Sequence, residues 1–384
     1  MEQEQIDMFA NTRFESISSN DWKWEFADYP TEKNGLKVFS CFACGGGSTM
    51  GYKLAGCDVV GCCEIDKKMN EVYVKNHLPA HNFLMDIRDF NNISNEKLPD
   101  VLFDLDILDG SPPCTTFSMA GEREKNWGKA KKFKEGQKEQ TLDDLSFIFI
   151  DTVNKLKPKT VIMENVEGLL KGNAFAYVEG IYKKFNNIGY NVKHYLLKGE
   201  QMGIPQKRHR VFFIAIRKDV PFDLQSLDMS FNYKPITYGE IKSKQGDEFS
   251  EKAKQGKLYN LFLKANENDN SICDIVKREY GIEKYFQCYI LHDNKVCPTI
   301  RASRGFENYR FCDKKKTTIS DVIHAQTFPE DYDFGKNTIN NVSYICGMSV
   351  PPIMIKRIVT RLIEKGLYDY KLKKEKKLNE KKDN

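Results

Sequence analysis

The sequence predicts an α/β protein: a doubly wound, mostly parallel sheet with a smaller region set into its second half. Three observations predict it. Short β-type runs alternate with helix-length amphipathic stretches between Leu36 and Arg217. A glycine-rich turn, CGGG at 44–47, follows the first run. The alternation stops after Arg217, and apolar segments return only from residue 297. Repeated strand–helix–strand units lay parallel strands side by side with helices on both faces.

The elements justify this in order. Residues 1–35 carry eight acids against three bases and read as an acidic extension. The β-type runs are LKVFSCF (36–42), VVGCCEI (59–65), DILDG (106–110), TVIMENV (160–166), NVKHYLL (191–197) and RVFFIAIR (210–217). Residues 66–76, 141–157 and 173–187 show helical amphipathicity between them. Residues 36–217 therefore form one domain that carries the sheet. Residues 218–296 are polar and mixed, without a clear period, and read as a separate small domain. Residues 297–366 end in a helix opened by Pro351-Pro352, where prolines suit the first turn. A lysine-rich tail, 367–384, follows.

Composition narrows the function classes. The chain has 384 residues, a charged fraction of 29% and a net charge of +5. No run approaches the roughly 20 apolar residues of a membrane span, and no signal peptide opens the chain, so a soluble, cytoplasmic protein is expected. Eleven scattered cysteines without an export signal read as reduced thiols. Cys41 and Cys44 lack the second ligand pair that zinc requires, so no metal is expected. Residues 122–140 hold seven bases against four acids, the local charge that contact with a phosphate backbone needs.

The candidate site collects at strand ends. Gly45, Gly46 and Gly47 permit a sharp turn and close approach of a ligand. Glu64 ends the next run about 20 residues on, where an acid can bind ribose hydroxyls. No Lys-Ser/Thr follows the glycines, so a nucleoside ligand without a pyrophosphate, such as S-adenosylmethionine, fits better than a nucleotide. The run 106–110 leads into Ser111-Pro112-Pro113-Cys114. Two prolines stiffen that loop and present Cys114, which in a base-rich setting can act as a thiolate nucleophile. Glu164-Asn165-Val166 ends another run, and Gln206, Arg208 and Arg210 open the last. Thiol, carboxyl and guanidinium at neighbouring strand ends compose a reaction centre.

Taken together, residues 36–366 resemble the DNA cytosine-5 methyltransferases. The matching pieces stand in the family's order: FACGGGSTMG (42–51), Glu64, Asp86-Ile87, SPPCTTFSMAG (111–121), PKTVIMENV (158–166), QMGIPQKRHRVFFIAIR (201–217), QTFPEDY (326–332) and GMSVPP (347–352). The resemblance implies methyl transfer from S-adenosylmethionine to carbon 5 of a cytosine flipped out of double-stranded DNA. It implies Cys114 as the nucleophile toward carbon 6, Glu164 as the group that keeps or shares a proton with N3, and Arg210 at O2 with Arg208 beside it. For the cofactor it implies Phe42, the glycines, Glu64 with Ile65, Asp86 with Ile87, Ser111 and Pro112, and Ser349 with Val350 from a last motif that packs back on the first. Ser118, Arg123, Asn165 and Gln206 are expected on the DNA side, and 218–296 is expected to recognise the target sequence. The chain departs from the family at Ser40, where Asp is frequent, at Cys44, where Gly is frequent, at Leu142, where Arg is frequent, and at Met348, where Asn is usual.

Two rival readings share the architecture. An RNA (tRNA) cytosine-5 methyltransferase would carry Cys-Phe-Thr in its middle region, and 218–296 contains none. A non-catalytic DNA-binding relative would be free to lose Cys114, Glu164 or Arg210, and all three are present. Separately, QIDMF at Gln5–Phe9 is similar to the motif by which bacterial proteins dock on the replication sliding clamp. A cognate restriction endonuclease is a further expected partner.

Overall fold

The computed structural model of the chain describes residues 21–113, 145–171, 175–283, 285, 288–302 and 308–369. Cys114, Ser118, Arg123, Leu142, Gln5–Phe9 and most of the lysine-rich tail lie outside the described residues. Among those described, one sheet contains β1 (Lys37–Cys41), β2 (Asp58–Glu64), β3 (His81–Leu84), β4 (Ile107–Gly110), β5 (Thr160–Val166), β6 (Tyr190–Lys198) and β7 (His209–Arg217). Their order is β3-β2-β1-β4-β5-β7-β6. β1 to β5 run parallel, and β7 runs antiparallel to both β5 and β6. The order reverses between β1 and β4, and such a switch point opens a crevice at the carboxyl ends of the two strands.

The helices used below are α1 (Gly47–Leu54), α2 (Lys67–His77), α3 (Ile87–Asn92), α4 (Leu145–Leu156), α5 (Phe175–Asn187), α6 (Ile319–Gln326), α7 (Ile339–Met348) and α8 (Pro352–Glu364). Successive strand residues face opposite sides of the sheet, so apolar runs of this kind supply two cores. Phe39, Leu108, Val161, Met163, Val211 and Phe213 pack with Phe149 and Val153 of α4 and with Val178, Ile181 and Phe185 of α5. On the other face, Val38, Ile107, Ile162, Phe212 and Ile214 pack with Met50 of α1 and with Ile355, Ile358 and Leu362 of α8.

α8 thus returns from the far end of the sequence to seat the glycine-rich turn. A Cβ on Gly47 would stand 2.1 Å from the Val350 carbonyl oxygen. At Gly46, with φ +80°, it would stand 2.0 Å from His77 Nε2. The sequence reading attributes these glycines to approach of a ligand. In the structure the immediate neighbours they make room for are the protein's own return segment and α2. The stretch Ile339–Glu364 is long and apolar enough by composition to cross a membrane, contrary to the sequence expectation, but 72% of its most apolar window is buried inside the protein.

The described part of the acidic extension is docked. Trp24 Nε1 donates to the Thr327 carbonyl at 2.9 Å, Trp22 lies edge-on to His324, and Asp21 pairs with Arg357 of α8 at 2.7 Å. A third core, from Phe249 and Phe262 through Ile272, Ile275 and Ile290 to Tyr309, stands apart from the two sheet cores. Val220, Leu224, Leu227, Ile236 and Tyr238 belong to the core beneath α8 instead.

Candidate functional site

The glycine turn leaves β1 through two residues in the left-handed region, Phe42 at φ 55° and Cys44 at φ 45°. Residues with a Cβ take that conformation only where surroundings impose it. At Cys44 the constraint is visible: its N–H donates to Glu64 Oε2 at 2.7 Å. Glu64, buried at the end of β2, also accepts from the Ile65 and Asp66 N–H groups through Oε1 at 2.9 and 2.8 Å. Burial pushes its carboxyl up, and the three backbone donors only partly offset this. Oε2 retains acceptor capacity beyond its one backbone donor. Phe42 is half-buried with its ring 6.3 Å from that of Phe149. Asp86 caps α3 by accepting from the Arg88 N–H at 2.8 Å and pairs with the Arg88 guanidinium at 3.1 Å, while Ile87 faces the core.

The return segment completes this half of the crevice. Gly45 donates no side chain but offers its carbonyl to the Tyr332 hydroxyl at 2.6 Å. Ser349 and Val350 are buried against the turn. The Ser349 carbonyl accepts from Arg208 and Gln326, yet its hydroxyl is buried without a hydrogen-bond partner among the described residues. A buried unpaired hydroxyl costs roughly 1–3 kcal/mol, and a polar ligand in the crevice would relieve it. Met348 is 39% exposed, so the departure there places a thioether at the surface.

The other half of the crevice is built on β4, β5 and β7. Ser111 and Pro113 are half-buried and Pro112 is buried, and they carry the chain to residue 114. Glu164 and Arg210 sit on adjacent antiparallel strands, two positions out of direct register. That diagonal brings Arg210 Nε to Glu164 Oε1 at 2.7 Å, with both side chains mostly buried. Asn165 and Gln206, both expected on the DNA side, point elsewhere. Asn165 is buried and donates to the Pro112 carbonyl at 3.4 Å, bracing the loop before residue 114. Gln206 is buried with its amide engaged by the Ala325 carbonyl, Gln326 Oε1 and the Ile300 N–H, so it has no donor left for a base. Arg208, expected beside Arg210, has its guanidinium turned into the protein. It is buried and donates to the Ile300, Gly347 and Ser349 carbonyls, and burial, with Arg210 nearby, pushes it down to about 9.

Three residues that shape the site were not singled out in the sequence. Tyr332 and His77 bracket the Gly45 carbonyl, at 2.6 and 3.5 Å. Asp109 lies buried on β4 at the switch point, accepting from Ser40 Oγ at 2.7 Å and from the Tyr52 hydroxyl at 3.1 Å. Its signal was an acid inside an apolar strand that leads straight into the cysteine loop.

Comparison with known proteins follows the same lines. The family model of the C-5 cytosine-specific DNA methylases matches residues 36–364. The chain is 28% identical over 369 residues to the type II methyltransferase M.FnuDI of Fusobacterium nucleatum, covering 88% of this chain and 98% of that protein. It is 26% identical over 353 residues to M.NgoFVII of Neisseria gonorrhoeae, covering 85% and 86%. With M.NgoPII of the same organism it shares 29% identity over 56% of each chain. Among solved structures, one described as a DNA modification methyltransferase encoded within an E. coli prophage superposes with a TM-score of 0.63 at 20% identity, covering 86% of this chain and 99% of that one. A Spodoptera frugiperda DNMT2 variant does so with 0.60 at 16%, covering 86% and 100%. At those identities the structural likeness speaks for the fold alone. Because the family match runs through every strand of the sheet and through the returning helix, the chain belongs to the C-5 cytosine-specific DNA methylases and is an enzyme of that family.

Proposed function

We propose that this enzyme methylates carbon 5 of a cytosine within a specific double-stranded DNA sequence, using a transient covalent bond from Cys114 to carbon 6. The observation that carries this reading is the Glu164–Arg210 pair, 2.7 Å apart beside a proline loop that Asn165 holds. Cytosine is a poor carbon nucleophile until a thiolate adds at carbon 6. Cys114 forms that bond, and the displaced electron pair enters the ring toward N3, where Glu164 keeps or shares a proton. Arg210, fixed by Glu164 and by its own donation to the His209 carbonyl at 2.8 Å, holds O2. Loss of the carbon-5 proton to a base then expels the Cys114 sulfur and restores the ring.

Members of the family use S-adenosylmethionine, and the residues around the crevice suit it. Phe42 would lie against adenine, Glu64 would take the ribose hydroxyls, Asp86 and Ile87 the adenine edge, and Ser349 and Val350 the amino-acid end. The unpaired Ser349 hydroxyl supports that fit. When bound, the cofactor supplies the electrophilic methyl group that carbon 5 takes. Arg208 acts from behind, tying the return segment to β7. Recognition of the target sequence falls to the region 218–296, within which most of the third core lies. A target inside a duplex is read after flipping, with the basic 122–140 segment on the phosphates. The enzyme would act on cytoplasmic, nucleoid DNA, alone or beside a cognate endonuclease. Gln5–Phe9 would tether it to a sliding clamp, and a peptide of residues 1–15 that fails to bind purified clamp removes that tether.

The direct test uses duplex DNA carrying 5-fluorocytosine. With S-adenosylmethionine it should trap the enzyme as a denaturant-resistant adduct mapped to residue 114, and Cys114→Ala should give none. Bisulfite sequencing of DNA from expressing cells identifies the context. An adduct with RNA in place of DNA would move the assignment to the tRNA-modifying branch. Absence of any adduct would remove the mechanism.

A further inference from the structure

We propose that Asp109 is a positioning residue for cofactor binding, a buried carboxylate that fastens the glycine turn to the strand bearing the cysteine loop. The inference rests on the methyltransferase reading above. Asp109 is 2% exposed on β4, five positions before Cys114 and directly across the switch point from Ser40 of β1. Its carboxylate accepts from Ser40 Oγ at 2.7 Å through Oδ2 and from the Tyr52 hydroxyl at 3.1 Å through Oδ1. The Ser48 hydroxyl lies near enough to lower the Asp109 carboxyl against the effect of burial. Ser48 and Tyr52 lie on α1, the helix that the glycine turn opens, and Ser40 lies two residues before Phe42. One buried carboxyl thus gathers hydroxyl donors from β1 and α1, and it does so beneath the crevice where the cofactor is proposed to sit. A buried carboxylate is costly unless it is saturated with donors. Hydroxyls converging on it from two elements fit a group kept for orientation rather than for contact.

The facing pair also accounts for the departure at residue 40. With Asp109 supplying the carboxylate from β4, β1 needs only a hydroxyl. Moving the acid across the pair should therefore preserve the cage, since the two positions are register partners.

The test compares full-length wild type, Asp109→Asn, Asp109→Ser and the exchange Ser40→Asp with Asp109→Ser, in steady-state DNA methylation and in S-adenosylmethionine binding by calorimetry. Expected for Asp109→Ser is a KM for S-adenosylmethionine raised at least tenfold, with kcat within threefold of wild type. Asp109→Asn should fall between. The exchange should return KM to within threefold of wild type. A merely structural role would instead lower the active fraction, hence apparent kcat, at unchanged KM. Unchanged KM in both single variants, or an exchange no better than Asp109→Ser, would overturn the proposal. If Asp109→Ser does not fold, Tyr52→Phe, which removes one donor, decides: KM should rise at least threefold, and an unchanged KM counts against it. Wild type without methylation would sink the underlying reading instead, a separate outcome.

Discussion

At the scale of single residues the site divides into groups that can meet substrate and groups that hold them. Glu164 and Arg210 share a 2.7 Å ion pair at the strand ends, whereas Arg208, only two positions from Arg210, spends its guanidinium on three carbonyls inside the protein. A break in the strand separates them: residues two apart share a face only while the strand stays regular, and the backbone bends at Gln206–Arg208, where Arg208 N–H donates to the Gln206 carbonyl. Glu164→Gln keeps the shape and removes the proton-sharing carboxyl. It should lower kcat by about 10²–10⁴ while changing the KM for S-adenosylmethionine less than threefold, as read in single-turnover and steady-state assays. A kcat within fivefold of wild type would mean that N3 is not served by this residue.

At the scale of elements, the decisive contact is between α1 and α8, more than 300 positions apart in the sequence. The Val350 carbonyl occupies the space a Cβ on Gly47 would need, at 2.1 Å. Because the obstacle is backbone, the segment leading into α8 cannot yield by a rotamer change. Gly47→Ala should destabilise the fold by about 3 kcal/mol, lowering Tm by roughly 5 °C or more and weakening S-adenosylmethionine binding with it. Calorimetric melting measures the first and titration the second. A melting curve that superposes on wild type would show that α8 is not seated as described.

At the scale of the molecule, two buried groups couple stability to pH in opposite senses. Burial pushes the Asp109 carboxyl up to about 7, the hydroxyls and the nearby Glu164 modifying that. Unfolded, an Asp titrates near about 3.9. Between these values the folded chain keeps a proton the unfolded chain has lost, so this contribution falls as pH rises toward 7. Burial, with Lys53 nearby, pushes His77 down to about 3, against about 6.5 when unfolded. Below 6.5 the unfolded chain takes a proton that folded His77 refuses, so its contribution falls as pH falls. Each slope is about 1.4 kcal/mol per pH unit, and between roughly pH 4 and 6.5 they cancel. Asp109→Asn removes one side of the balance. Relative to wild type it should lose about 2 kcal/mol on going from pH 6.5 to 5, measured by urea unfolding at both values. Parallel pH profiles for the two proteins would refute the opposition.

The residue pattern by itself determined the fold class, the strands from β1 to β7 apart from β3, and the placing of Glu64, Glu164 and Arg210 towards strand ends, because period-two apolar runs, turn residues and strand-end acids are local properties of the chain. TVIMENV at 160–166 coincides with β5, and the other foreseen strands differ by one residue at one or both ends. β3 was hidden because HNFL is too short and mixed to show a period, and the helices within 218–296 because each is brief. Tertiary structure alone decided what a residue faces. Asn165 and Gln206 carry amides suited to bases, yet packing directs one to a proline carbonyl and buries the other beneath α6. Gly47 makes room for a carbonyl from residue 350, and Asp109 meets the Ser40 and Tyr52 hydroxyls only because β1, β4 and α1 converge at the switch point. Such meetings depend on contacts between positions distant in sequence, and no local periodicity encodes them.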